Sequence, residues 1–367
     1  MLSVSLFVGA CSYEGADSVM TQSSLTQIEP TPSTLPIQTP STIATAVVTT
    51  TALPDPTKTS TPLWHRLPKG VYLFFKYDNR EGLYALSVSD GQVLQVLEQF
   101  IGDAMKMPDN RHVMFLDGPE TKILDLQDGA KIITKLPPEF TEPYFVAFSP
   151  VNRDIIWVAG YPGHGLPING DGSFLYYYPS GDSFGFRVQG SWPVWSPDGR
   201  YVAYEQETYA SPPGSMTVSY ADISLLTIPC QASNNEPCHA VNLTTSSLKT
   251  EARKPSWSPD SQTLAYECSS TNYDETATTP QDTFMIAQDI CVIGLNGSGF
   301  RQLTQTTDFF ERYPSWSPTG ASLVFAGASS SYGISDLYLL DIQSEKISNL
   351  TNTSDLSEIP LFWWNNQ

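Results

Sequence analysis

The sequence predicts an all-β fold, a six-bladed β-propeller built from four-stranded antiparallel blades. Three observations predict it: a recurring turn motif, a second strand–turn–strand motif that alternates with it, and two chain ends that complement each other. The turn motif is clearest in "VWSPDGRYVAY", Val194–Tyr204. Its Ser-Pro-Asp-Gly core is a turn signal, and the residues after it have the spacing of a strand.

The turn motif recurs along most of the chain. Clear copies are "PSWSPDSQTLAYE" (Pro255–Glu267) and "PSWSPTGASLVFA" (Pro314–Ala326), and weaker copies lie at Met105–Phe115 and Val146–Val158. The anchor prolines are separated by 42, 47, 62 and 59 residues; they are Pro108, Pro150, Pro197, Pro259 and Pro318. Periods near or above 40 residues, with several short strands in each unit, are typical of propeller blades.

The second motif predicts the outer two strands of each blade. "GLYALSVSDGQVLQVL" (Gly82–Leu97), "DICVIGLNGSGFRQLT" (Asp289–Thr304) and "DLYLLDIQSEKISNLT" (Asp336–Thr351) each predict two strands joined by a polar turn. One repeat therefore contains four strands, A to D, and strand A ends at the aromatic-Ser-Pro sequence.

The two ends of the repeat region complement each other. It opens with a B-type strand, "GVYLFFKYD" (Gly70–Asp78), and closes with an A-type segment, Pro360–Trp364. We expect the C-terminal segment to enter the first blade as its innermost strand. This pairing would close the ring of blades, so that no sheet edge stays open around it. The count is then six blades.

These repeats resemble the TolB-type propeller repeat, which also occurs in the propeller domains of prolyl-oligopeptidase-like enzymes. The resemblance covers about residues 70–367 and is strongest in blades four to six; Lys106 and Phe148 stand where the clean copy has Trp195. It implies a protein that works by contact with other proteins. The aromatic and Pro-Asp residues of the motif are expected to serve packing and turns.

The N-terminus predicts export and a lipid anchor. Val8-Gly9-Ala10-Cys11 resembles the lipobox of bacterial lipoproteins, in which Cys11 becomes the site of lipid attachment. We assign 1–11 to the signal peptide and lipobox cysteine, 12–63 to a disordered Ser/Thr/Pro-rich linker, and 64–367 to the propeller domain. The expected location is extracytoplasmic, at the cell surface or in the periplasm. A soluble protein with an accidental apolar start is the alternative.

The remaining cysteines predict two disulfides. Cys230 and Cys238 bracket one loop, while Cys268 follows strand B and Cys291 lies on strand C of the same blade. Strands B and C are neighbours, so the repeat favours Cys230–Cys238 and Cys268–Cys291 among the three possible pairings. Four free thiols in a reducing compartment are the alternative.

Composition limits the partners. Acidic residues outnumber basic ones by 38 to 19, which gives a net charge of −19. This balance argues against binding to nucleic acid and against electrostatic docking on anionic lipid, so contact with the membrane is expected through the lipid anchor alone. We expect a monomer whose partner is another envelope protein or a cell-wall or sugar ligand.

The sequence indicates no catalytic residue, no metal site and no cofactor. The four histidines lie far apart, without metal-ligand spacing, and the chain has no α/β segment that could hold a Gly-x-Ser-x-Gly nucleophile elbow. The favoured function is therefore a non-catalytic protein-binding or scaffolding module. The alternatives are an exported carbohydrate-active lyase or hydrolase with a site over the propeller channel, or a sensor of cell-wall or sugar ligands.

Loop lengths predict a working face. The long insertions fall mainly between strands B and C of three consecutive blades, and loops on a rigid scaffold commonly carry function. The candidate partner-binding residues on these loops are Tyr161, His164, Tyr209, Tyr273, Asp274, Glu275 and Asp282. Long solvated loops without a partner are the alternative.

Overall fold

The computed structural model of the chain consists of β-strands joined by turns and loops. It describes residues 67–366 except 68, 79, 99–103, 118–119, 127–130, 135–144, 153, 160–172, 180–184, 211–217, 230–239, 248–249, 272–284, 307–308, 331–332 and 354. In these ranges no helix is both long and apolar enough to cross a membrane. The expected all-β class is confirmed.

In the described residues the strands form four sheets of four strands and one larger sheet. The strands are β1 (Gly70–Tyr77), β2 (Leu83–Ser87), β3 (Val93–Leu97), β4 (Ala104–Lys106), β5 (His112–Asp117), β6 (Glu120–Asp125), β7 (Lys131–Thr134), β8 (Phe145–Phe148), β9 (Ile155–Ala159), β10 (Phe174–Tyr178), β11 (Phe186–Gln189), β12 (Ser191–Trp195), β13 (Tyr201–Ala210), β14 (Val218–Thr227), β15 (Ala240–Asn242), β16 (Thr250–Trp257), β17 (Thr263–Thr271), β18 (Met285–Gly294), β19 (Arg301–Gln302), β20 (Phe310–Trp316), β21 (Ser322–Ala328), β22 (Ser335–Asp341), β23 (Ile347–Asn349) and β24 (Glu358–Asn366). The four-stranded orders are β24-β1-β2-β3, β4-β5-β6-β7, β11-β10-β9-β8 and β12-β13-β14-β15.

The larger sheet contains two groups of strands. Its path is β16-β17-β18-β20-β21-β22-β23, and β19 pairs with β18 beside that path. One parallel bridge, between Gln288 and Phe310, joins β18 to β20, whereas the pairs within each group are antiparallel. The two groups therefore repeat the four-stranded pattern of the other sheets.

The last strand of the chain pairs with the first. β24 lies antiparallel to β1 at the edge of their sheet, with Trp364 opposite Tyr72. The Phe74 and Phe362 rings stack with centroids 4.8 Å apart, and Trp364 meets Phe74 edge-on at 6.0 Å. Buried aromatic surface thus joins the two ends of the repeat region, as their complementary sequences predict.

The core lies between neighbouring sheets, and successive residues of one strand pack on opposite sides. In β13, Val202 and Tyr204 belong to a cluster shared with the β8–β11 sheet, while Ala203 belongs to a cluster shared with β16–β18. All three are at most 1% exposed. Because both faces of this strand are covered, both of its side-chain sets are buried.

The Pro-Asp residues stabilise turns, as expected. The Asp198 carboxylate accepts a hydrogen bond from Ser196 Oγ at 2.6 Å and from the Arg200 N–H at 3.1 Å. Asp260 accepts the same pair of bonds, from Ser258 Oγ and the Gln262 N–H. These carboxylates therefore accept hydrogen bonds from groups within their own turns.

One disulfide lies within the described residues. Cys268 of β17 and Cys291 of β18 are bonded, with their Cα atoms 5.7 Å apart. Cys11, Cys230 and Cys238 lie outside the described residues.

Candidate functional site

A central cavity of about 690 Å³ is lined by residues from several sheets. Its wall includes residues of β4, β8, β12, β16, β20 and β24, and each of these strands lies at one end of a sheet or of a four-stranded group. The volume lies within the range of small-molecule sites, about 300–1,000 Å³. The geometry of these strands therefore decides which side chains a ligand would meet.

Four cavity residues share one place in the repeat. Phe145, Trp192, Lys254 and Tyr313 each lie three residues before the aromatic residue that ends the strand, and all four line the cavity. We call these four residues the mouth ring. It combines three aromatic side chains with one lysine.

Three members of the mouth ring have a left-handed backbone. The φ angles are 49° for Trp192, 52° for Lys254 and 55° for Tyr313, and a proline follows each residue. The strand pairing shifts register at each of these places, which indicates a β-bulge. Bulges redirect side chains, and non-glycine residues at positive φ cost energy that the surrounding structure must offset.

Buried glutamates hold two of the bulges. The Lys254 N–H donates to Glu205 Oε1 at 2.8 Å, and the Tyr313 N–H donates to Glu267 Oε1 at 2.7 Å. Glu205 is 1% exposed and Glu267 is 3% exposed. Both follow an Ala-Tyr pair on the second strand of the preceding group, so the repeat supplies the acceptor for each strained N–H.

Lys254 bridges the aromatic and acidic parts of the site. Its Nζ lies 3.0 Å from the ring centroid of Trp192 and 5.8 Å from that of Tyr313. The same Nζ is 3.7 Å from Glu205 Oε1. A cation over an aromatic face is stabilised by the ring quadrupole, so this ammonium is held by both neighbours.

The Glu267 carboxyl titrates near neutrality. Burial raises its pKa to about 7, and the positive charge of Lys254 and the hydrogen bond from the Tyr313 N–H partly oppose that rise. Gln288 Nε2 also donates to Glu267 Oε2 at 2.8 Å. A carboxyl with this pKa changes charge at physiological pH.

The inner-strand tryptophans form a ladder of hydrogen bonds between sheets. The indole N–H groups of Trp195, Trp257 and Trp363 each donate to a backbone carbonyl of the preceding inner strand, at 3.0–3.3 Å. Trp316 Nε1 is buried without a hydrogen-bond partner in the described part of the chain. The expected packing role of these residues between sheets is observed.

Most of the loop residues predicted for partner binding lie outside the described residues. Tyr209 lies in β13, and the other candidates, Tyr161, His164, Tyr273, Asp274, Glu275 and Asp282, lie outside the described residues. The strand pairing shows which end of the sheet carries the mouth ring. Ser191 at the start of β12 pairs with Glu205, and β13 continues past Glu205 to Ala210. The mouth ring therefore lies toward the end of the sheet at which β13 connects to segment 211–217.

The mouth ring was not among the residues selected from the sequence. A usable signal is present in "SWPVWSP", "RKPSWSP" and "RYPSWSP", where a large residue precedes a proline two residues before the tryptophan.

Within the ranges that the structure describes, no group of three or more His, Cys, Asp or Glu residues could hold a metal ion.

The fold is similar to solved TolB structures. A candidate TolB from Agrobacterium tumefaciens superposes with a TM-score of 0.52 at 14% identity, over 82% of this chain and 99% of that one. TolB from Acinetobacter baumannii gives 0.53 at 15% identity, over 80% of this chain and 67% of that one. No known protein-family pattern and no curated protein sequence matches the chain. The chain therefore has a TolB-like propeller fold.

Proposed function

We propose that this protein is an exported, lipid-anchored propeller of six blades that acts as a non-catalytic binding or scaffolding module for an envelope partner. In this proposal β24 closes the ring by completing the first blade. The linker of residues 12–63 holds the propeller away from the membrane, which makes its faces accessible to a partner.

The mouth ring carries the proposal. Strained backbone at Trp192, Lys254 and Tyr313 recurs in three consecutive repeats, and in each the side chain lines the cavity. Such strain tends to collect at functional sites, because packing alone does not require it. Aromatic residues and a lysine stem offer a large contact surface with a polar edge, which suits recognition of a partner.

The location of the ring also supports the proposal. It lies toward the strand ends that carry the long predicted B–C loops, so the loops and the ring would act on one partner. The repeats resemble those of TolB-type propellers, which act by protein contact. TolB structures supply the fold similarity at 14–15% identity.

The binding face is tested by loop shortening. Replacing residues 272–284 by a short Gly-Ser linker should abolish capture of the partner by the full chain, with an unchanged melting temperature. The matched control shortens residues 231–237, which lie between strands C and D of blade four, and we expect C–D turns on the face opposite to the B–C loops. Capture that survives the first change and is lost with the second would place the site on the other face.

The anchor is tested separately. Cys11→Ala should release the protein from membranes or leave the signal unprocessed, because the predicted lipid attachment needs the thiol of Cys11. Metabolic labelling with a palmitate analogue should label the wild type and not the variant. An unlabelled wild type, expressed from its true start, would contradict the anchor.

One observation favours the enzymatic alternative. Lys254 Nζ lies 3.7 Å from Glu205, and the pKa of the nearby Glu267 is raised to about 7 by burial. A group that titrates near neutral pH is suited to general acid–base catalysis. Turnover of a polysaccharide by the wild type that is lost in Glu267→Gln, with folding intact, would favour an exported lyase or hydrolase.

A further inference from the structure

The charge of the cavity is opposite to that of the whole protein. The chain carries 38 acidic and 19 basic residues. Among the described residues that line the cavity, however, the ionisable acids and bases are Lys76, Lys106, Lys254 and a single acid, Asp78. Lys254 is balanced by Glu205 at 3.7 Å, so the lining leaves Lys76 and Lys106 against Asp78, an excess of one positive charge that favours an anion over a cation.

Lys106 is the cavity lysine whose presence the fold does not require. It ends β4, where the neighbouring inner strands β8, β12 and β16 end in Phe148, Trp195 and Trp257. It makes no ion pair with any residue that the structure describes. Its side chain is exposed to the cavity, yet the protein atoms around it remove part of its hydration and lower its pKa, with no acidic neighbour to oppose the effect. An ammonium in this condition is stabilised when an anion enters beside it.

The cavity wall also provides flat apolar surface. The rings of Phe145 and Trp192 lie with centroids 5.5 Å apart, and both residues line the cavity together with Tyr313. A ring-shaped ligand can place its face on these aromatic side chains.

We propose that this cavity binds a small organic anion, a carboxylate on a ring-shaped body, whose charged group pairs with Lys106 and whose apolar face packs on the aromatic wall. The inference rests on the proposed function in one respect, that the cavity is a binding site. Acidic sugars and aromatic acids share this chemistry.

The test uses the full chain and two pairs of probes. D-glucuronate is compared with its uncharged counterpart D-glucose, and benzoate with benzamide, by tryptophan fluorescence and by saturation-transfer NMR. At least one acid should bind saturably and at least about tenfold more tightly than its neutral counterpart, because the neutral compound lacks the charge that pairs with Lys106. Preference for glucuronate indicates an acidic sugar, and preference for benzoate indicates an aromatic acid.

Three lysine variants assign the effect to one ammonium. Lys106→Met should weaken binding of the acid by about tenfold, and Lys106→Arg should retain it. Lys346→Met removes the same charge from an exposed turn outside the cavity and should leave binding unchanged. Melting temperatures of all three variants show whether folding is intact.

Several results would overturn the inference. They are the absence of saturable binding by either acid, equal binding of acid and neutral counterpart, and wild-type affinity in a folded Lys106→Met protein. Failure of Lys106→Met to fold leaves Lys106→Arg as the deciding variant, and lost binding there would contradict a role for charge alone. Partner capture is measured without any acid, so capture that persists while no acid binds overturns this inference and leaves the proposed function standing.

Discussion

The second sheet and the fourth sheet have the same strand order but end their inner strands differently. β12 ends in Trp195, which is 9% exposed and donates its indole N–H to the preceding sheet. β4 ends in Lys106, which is exposed to the cavity and makes no such bond in the described residues. The comparison teaches that the four-stranded pattern forms without the tryptophan. The tryptophan adds attachment between sheets, and its replacement gives the cavity a charge.

A second contrast lies in the polar groups near the C-terminus. Glu311 of β20 accepts a hydrogen bond from Thr304, and Glu358 of β24 accepts from Thr351 at 3.2 Å and from Thr353 at 2.9 Å. Both carboxyls are at most 1% exposed. These buried acids make the C-terminal sheets sensitive to pH in a way that apolar packing is not.

The largest expected effect comes from removing the strand that joins the chain ends. Deletion of 360–367 removes Phe362, Trp363 and Trp364, so β1 loses one of its two partner strands and its aromatic contacts with that strand. We expect a loss of at least about 5 kcal/mol, which is comparable to the total stability of many domains. Differential scanning calorimetry measures it. Truncation after Trp364 is the control and should melt near the wild type; equal melting of all three proteins would contradict this pairing.

The next prediction compares the stability contributions of Trp195 and Lys106. Trp195→Ala should cost about 3–5 kcal/mol, because it leaves a cavity and breaks the indole hydrogen bond. Lys106→Ala at the corresponding position should cost less than about 1 kcal/mol, since the ammonium loses hydration there without gaining an ion pair. Urea unfolding of both variants gives the two values. Similar costs would show that the inner-strand position has one structural role in both sheets.

The disulfide adds a smaller contribution by joining β17 to β18. The Cys268→Ala, Cys291→Ala double variant should lose about 3 kcal/mol, mainly because the unfolded chain is no longer constrained. Urea unfolding with and without a reductant measures the loss. The wild type should approach the variant when reduced, and the variant should not respond to the reductant; a wild type that ignores the reductant would show that the bond contributes nothing.

The last effect concerns the buried acids and depends on pH. Burial raises the pKa of Glu311 and of Glu358 to about 8, well above the value near 4.5 of a free carboxyl. The folded state therefore holds protons that the unfolded chain releases, and their stabilisation is complete below about pH 4.5 and is lost as pH rises toward 8. The Glu311→Gln, Glu358→Gln variant should lack this part of the dependence. Melting temperatures should fall further between pH 5 and 8 in the wild type than in the variant, and parallel curves would contradict the raised pKa values.

Much of the local structure could be predicted from the sequence because it depends on short-range chemistry. The Ser-Pro-Asp-Gly turns form where the prolines and glycines require them, and Asp198 and Asp260 accept the hydrogen bonds expected of turn residues. The pairing of β24 with β1 followed from two incomplete repeats at the chain ends. The placement of Cys268 and Cys291 on adjacent strands followed from the same repeat.

The candidate site could not be predicted in the same way. Trp192, Lys254 and Tyr313 are about 60 residues apart in sequence and meet only because successive sheets bring their inner strands to one cavity. Their orientation depends on bulges whose N–H groups bond to Glu205 and Glu267 of other strands. Strand periodicity alone predicts no bulge at these positions, so it does not show which side chains reach the cavity.

The sequence by itself determined the strands, the turns and the repeat, because these depend on neighbours a few residues away. Only the tertiary structure decided the environment of the polar groups. Glu267 and Lys106 are ordinary charged residues in the sequence, yet burial raises the pKa of the first and lowers that of the second. The physical reason is that atoms from distant parts of the chain displace water from these charged groups. A local sequence pattern does not show how many such atoms surround a given charge.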